Sequence, residues 1–123
     1  MQYLVLIYSE GSNSAEPPDP ATVGPIMEQY NAYSQMLRDR GAFVAGEALQ
    51  PTPTATTIRV RDGQTMTTDG PFAETKEALG GFYLIEAKDL DEALQLGAAC
   101  PGAQWGSIEV RPVVDFDAGQ LPS

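Results

Sequence analysis

Apolar residues follow two kinds of pattern along this chain. Tyr3-Leu4-Val5-Leu6-Ile7-Tyr8 and Phe82-Tyr83-Leu84-Ile85 are apolar at both parities, as in strands covered on both faces. Elsewhere the apolar positions take turns with polar ones. Thr56 to Arg61 alternates, Asp62-Gly63 makes a two-residue turn, and Gln64 to Thr68 returns as a hairpin. That turn sets Val60 against Thr65 and Arg59 against Met66. Phe43 to Leu49 predicts a further strand, broken by Pro51-Thr52-Pro53. Ser107 to Val113 predicts the last one, with Ile108 and Val110 on one face and Glu109 and Arg111 on the other.

Two segments carry helical spacing. Pro20 opens the first, with Asp19 as its cap, and it runs from Ala21 to Arg40. Val23, Ile26, Met27, Tyr30, Tyr33 and Leu37 make its stripe, and Gly41 stops it. Asp89 caps the second, with Glu92 three residues on. Its stripe is Leu90, Ala93, Leu94, Gly97 and Ala98, and Pro101 ends it. Ser9 to Pro20 reads as a loop, and Ala73 to Leu79 as a loop or a single helical turn. The order is strand–helix–strand, hairpin, strand–helix–strand. This is an α+β, ferredoxin-like β-α-β/β-α-β arrangement with an inserted β-hairpin. One domain over 1–115 and a polar C-terminal tail over 116–123 are expected. The first and third core strands belong at the sheet centre, and they are the two that are apolar on both faces. Two helices cover only one sheet face. An open apolar face calls for a partner, so a homodimer with facing sheets is expected.

Composition narrows the chemistry. Seventeen acidic residues against seven basic ones give a net charge of −10, which argues against nucleic acid and anionic membrane as partners. There is no histidine and a single cysteine, Cys100. Every histidine-based mechanism is thereby excluded, as are an internal disulfide and a thiolate metal cluster. No metal and no cofactor are expected. Met1–Gln2 carries no basic residue and the apolar run after it is short, so no secretory signal is read and the expectation is a cytoplasmic protein.

The stretch from Ala45 to Gly81 holds Gly46-Glu47-Ala48-Leu49, Ala55-Thr56-Thr57-Ile58-Arg59 and Asp69-Gly70-Pro71-Phe72-Ala73-Glu74-Thr75-Lys76-Glu77, then Gly80-Gly81-Phe82-Tyr83. This resembles the YCII-related proteins of the DGPF type, named for the four residues at 69–72. The likeness runs from Tyr3 to Val113 and includes Val110-Arg111-Pro112-Val113. It implies a dimeric α+β barrel, and a link to extracytoplasmic-function sigma factors, beside which many members are encoded. It implies no particular reaction. The His–Asp pair of some relatives has no counterpart here.

Candidate site residues have two readings each. Asp69 and Glu74 are candidates for a general base, with Lys76 as an electrostatic partner. Alternatively, Gly70 supplies an unusual backbone angle, Pro71 fixes the next, Phe72 plugs into the core, and Asp69 bonds amides of the turn. Glu47, Glu109 and Arg111 are candidates for a polar pocket facing the partner sheet, where Arg111 holds an anion, or for a structural ion pair at the seam. Tyr8, Tyr30, Tyr33 and Tyr83 line a pocket wall or pack in core and rim. Arg59 and Arg61 read as solvated strand charges. Cys100, at a helix C-terminus, is a poor nucleophile. Two functions fit: a module that binds a small polar ligand or a regulatory partner, or a cofactor-independent lyase or isomerase using carboxylate acid–base chemistry.

Overall fold

A computed structural model describes residues 1–120. Six strands and two helices follow in the expected order: β1 (Gln2–Ser9), α1 (Pro20–Asp39), β2 (Phe43–Ala48), β3 (Thr56–Arg61), β4 (Gln64–Asp69), β5 (Ala78–Glu86), α2 (Leu90–Ala98) and β6 (Ser107–Pro112). Single 3-10 turns lie at Glu10–Asn13, Thr52–Thr54 and Pro101–Gln104. Ala73 to Glu77 forms a loop, with no helical turn.

β2, β5, β1 and β6 lie side by side in that order, every neighbour antiparallel. This is the strand order of a ferredoxin-like fold, and the two strands apolar on both faces are the central ones. β3 and β4 form a separate two-stranded sheet, the inserted hairpin. Its register pairs Val60 with Thr65 and Arg59 with Met66, as the Asp62-Gly63 turn dictates. Asp62 and Gly63 both take positive φ, 53° and 75°, which a two-residue hairpin turn requires.

Both helices lie on one face of the large sheet. Asp19 Oδ1 accepts from Ala21 N at 3.1 Å and opens α1. Asp89 Oδ1 accepts from Glu92 N at 2.9 Å, while Glu92 Oε1 reaches back to Lys88 N at 3.1 Å, one residue before the cap. The core is Tyr3 and Val5 of β1, Tyr83 and Ile85 of β5, Tyr33 and Leu37 of α1, and Ala93 and Leu96 of α2, with Cys100. Tyr33 Oη donates to Leu96 O at 2.7 Å and ties the helices together. Ile108 and Val110 face the helices, as their parity predicts: a Cβ on Gly97 would stand 2.8 Å from Val110 Cγ2.

That contact corrects the expected stripe of α2. Ala93, Leu96 and Gly97 are buried, whereas Leu90 and Leu94 remain 47% and 48% exposed. The small residues Ala93 and Gly97 let the helix approach β6 closely, and that approach fixes its rotation. In α1, Met27 likewise lies outside the buried stripe, which centres on Tyr33 and Leu37. Beyond β6 the chain runs on alongside β1, with Val113 N donating to Gln2 O at 3.0 Å. Of the expected tail, residues 121–123 lie outside the described residues. Among the described residues no helix is long and apolar enough to cross a membrane.

Candidate functional site

The Asp69–Phe72 run begins where β4 ends. Gly70 holds φ +96°, a conformation that side-chain-bearing residues avoid. Its amide donates to Ala55 O at 2.7 Å and its carbonyl accepts from Thr57 Oγ1 at 2.8 Å. The turn is therefore locked from β3. The Asp69 carboxylate is exposed and takes no part in that locking among the described residues. Phe72 corrects the expected core plug: it is 79% exposed. The hairpin stands apart from the large sheet, so no core lies beneath the residue that follows its turn.

The loop after Phe72 is held by backbone contacts. Asn13 Nδ2 donates to Thr75 O and Lys76 O at 2.8 and 3.1 Å, and Asn13 Oδ1 accepts from Thr52 Oγ1 at 2.8 Å. Asn13 thus pins three segments together, a role hidden in a Ser/Asn-rich loop. Lys76 Nζ lies 3.4 Å from Glu10 Oε1, both side chains well exposed. An exposed pair of this kind contributes little. Glu77 Oε1 accepts from Ser107 Oγ at 2.6 Å. Glu74 is exposed.

The sheet face away from the helices carries a second arrangement. Antiparallel pairing aligns two rows across it. One runs Glu47, Phe82, Leu6, Glu109; the next runs Ala45, Leu84, Leu4, Arg111. Four apolar side chains fill the middle, and Glu47, Glu109 and Arg111 stand at the edges with Ala45. Tyr8 joins the β6 edge, its Oη donating to Glu109 Oε1 at 3.2 Å. Burial pushes the Tyr8 phenol up, helped by the hydrogen bond to Glu109 and by that carboxylate's charge; the Arg111 charge opposes. Arg111 makes no ion pair among the described residues.

On the helix side a cleft of about 530 Å³ opens between α1, β2, β5 and the end of β1. Tyr30, Ser34 and Arg38 line it from α1, Phe43 from β2, Tyr83 from β5, and Trp105 at the rim. Tyr83 Oη and Ser34 Oγ are hydrogen-bonded at 2.9 Å. Arg38 stacks over the Phe43 ring, 4.4 Å from its centroid. Tyr33 and Tyr83 meet edge to face at 5.1 Å. Burial raises the Tyr83 phenol, with the Ser34 bond and the Arg38 charge opposing. Tyr30 and Tyr33 are pushed far above the ordinary tyrosine range by burial, then by the neighbouring Cys100. Burial raises the Cys100 thiol as well. A larger depression of about 780 Å³ lies between the strand ends and residues 113–120, but a terminal segment forms its outer wall.

The candidate residues therefore separate. Glu109, Arg111 and Tyr8 share one edge of the open face; Glu47 stands at the opposite edge and borders the helix-side cleft, which Tyr83 lines. Asp69, Glu74 and Lys76 line neither depression. Among the described residues no group of His, Cys, Asp and Glu is arranged to hold a metal. Ser34, Arg38, Phe43 and Trp105 were not singled out by sequence reasoning. Tyr30, Ser34 and Arg38 recur every four residues on α1, a spacing that puts them on one face.

The sequence pattern that defines the YCII-related domain matches residues 1–117. An uncharacterised protein of Rhizobium meliloti (strain 1021) is 42% identical over 100 residues, spanning 80% of this chain and 81% of its own length.

Proposed function

This chain belongs to the YCII-related family, and on that premise we propose a homodimeric module that binds a small ligand, its two copies packed open sheet face to open sheet face. One observation carries the reading: Leu4, Leu6, Phe82 and Leu84 form an apolar block rimmed by Glu47, Glu109 and Arg111, with no helix over it. An apolar centre inside a polar rim is the anatomy of an interface. In a two-fold contact each rim meets a second copy of itself. Glu47 and Glu109 then offer Arg111 the carboxylate it lacks among the described residues of its own chain. Closing the two sheets gives the α+β barrel. The Asp69-Gly70-Pro71-Phe72 run supports the DGPF type and, with it, a regulatory role tied to a sigma factor. The exposure of Asp69 and Glu74 outside both depressions favours binding over acid–base catalysis.

Leu84→Asp tests the assembly. Light scattering behind size exclusion should read about twice the 13.2 kDa chain mass for the native protein and a single chain for the variant, which keeps a cooperative melt. A variant that stays dimeric overturns the facing-sheet arrangement.

A further inference from the structure

The helix-side cleft has two chemically different ends. Along α1, Met27, Tyr30, Ser34 and Arg38 face it in turn, a column of roughly 16 Å at 1.5 Å rise per residue. At one end Met27 and Trp105 leave 54% and 45% of their surfaces open, a wide apolar mouth of a thioether and an indole. At the other stands Arg38. Its guanidinium is spread over the Phe43 ring and has no carboxylate partner among the described residues, in a chain with seventeen acidic residues to seven basic. Glu47 also borders the cleft, but its register puts it on the same face as Phe82 and Leu6, across the sheet. The Ser34–Tyr83 hydroxyl pair lies between the ends. The volume of about 530 Å³ falls in the range of small-molecule sites, and the lining mixes apolar side chains with Ser9, Ser12, Asn31, Ser34, Arg38 and Glu47.

We propose that this cleft binds a small aromatic carboxylate, its ring between Trp105 and Tyr30 and its carboxylate on Arg38. Arginine matches a carboxylate in two parallel hydrogen bonds, and stacking on Phe43 holds the guanidinium in one plane. A ring stacked near Trp105 covers exposed apolar surface of the mouth. The inference rests on the small-ligand part of the function proposed above and not on dimerisation: Phe82 and Glu47 border both the cleft and the apolar block, but Leu4, Leu6 and Leu84 do not line the cleft.

Trp105 is the chain's single tryptophan, so its indole N–H gives one resonance that reports on the cleft. The native protein is titrated with 3-phenylpropionate and, separately, with uncharged 3-phenylpropanamide. The acid should shift the indole resonance saturably and bind more tightly than the amide. Arg38→Gln should weaken the acid by about tenfold, the usual scale for losing a charged hydrogen bond, and leave the amide unchanged. Arg38→Lys should restore part of the loss. Leu84→Asp should bind the acid like the native protein, whether or not it dissociates, which keeps this test separate from that of the dimer. No saturable shift, equal binding of acid and amide, or an acid affinity untouched by Arg38→Gln each overturn the proposal.

Discussion

Along β1, Tyr3 and Val5 point toward the helices and are 2% and 0% exposed, while Leu4, between them, points to the other side and stays half-buried. β5 repeats the contrast, with Ile85 fully buried and Leu84 partly open. The two faces are built from the same strands and nearly the same residue types. What separates them is the cover: α1 and α2 close one, and no helix closes the other. The closed face also satisfies its polar atoms. Tyr33 donates to Leu96 O, Tyr83 pairs with Ser34, and no buried side-chain polar atom lacks a partner among the described residues. The open face keeps a cation, Arg111, without an ion-pair partner among the described residues. The closed and the open face thus differ less in residue type than in what covers them.

The largest effect expected from this contrast is at Leu37, which is fully buried on the sheet-facing side of α1. Leu37→Ala should cost about 2–5 kcal/mol by thermal or urea melting, independent of protein concentration. Leu84→Ala at high dilution should cost about 1 kcal/mol, since less apolar surface leaves water there. Equal losses would erase the distinction between the faces.

Alkali should act on the closed face next. The folded chain holds the protons of Tyr30, Tyr33 and Cys100 beyond their ordinary values of 10.0 for tyrosine and 9.0 for the thiol. The unfolded chain releases them first. Stability is therefore fully present below about pH 9 and falls as pH rises above it. Tyr33→Phe should flatten that fall. A melting temperature constant from neutral pH to pH 11 would show that burial does not hold these protons.

Smaller effects belong to the hairpin, which neither face covers. Gly70→Val forces a side chain into φ +96° and should cost ~1 kcal/mol or more. Phe72→Ala removes an exposed ring and should stay within about 0.5 kcal/mol. A sharp loss at Phe72 would mean that the ring is covered in solution, by a second copy or another partner.

The hairpin was the most legible part of the sequence. Asp62-Gly63 fixes both turn and register locally, so the pairing of Val60 with Thr65 follows from two residues. The central places of β1 and β5 follow from their apolar runs, because covering both faces leaves a mark at both parities. The rotation of α2 was not legible. It depends on how closely Ala93 and Gly97 approach β6, and the larger Leu90 and Leu94 dominate any stripe read from the sequence. Phe72 misled for a related reason: an aromatic residue after a turn plugs a core only when a core lies below it. On the open face, Glu109 and Arg111 were readable from the alternation of β6. The helix-side cleft was not, since α1, β1, β2, β5 and Trp105 meet there only in three dimensions.

Sedimentation equilibrium of the native protein over a wide dilution series tests the central claim most directly, that the open face is one half of an interface. A mass of about twice 13.2 kDa at micromolar concentration, falling toward a single chain on dilution or on Leu84→Asp substitution, is the predicted result. A single-chain mass that holds at every concentration would contradict it and leave Leu4, Phe82 and Leu84 as ordinary surface.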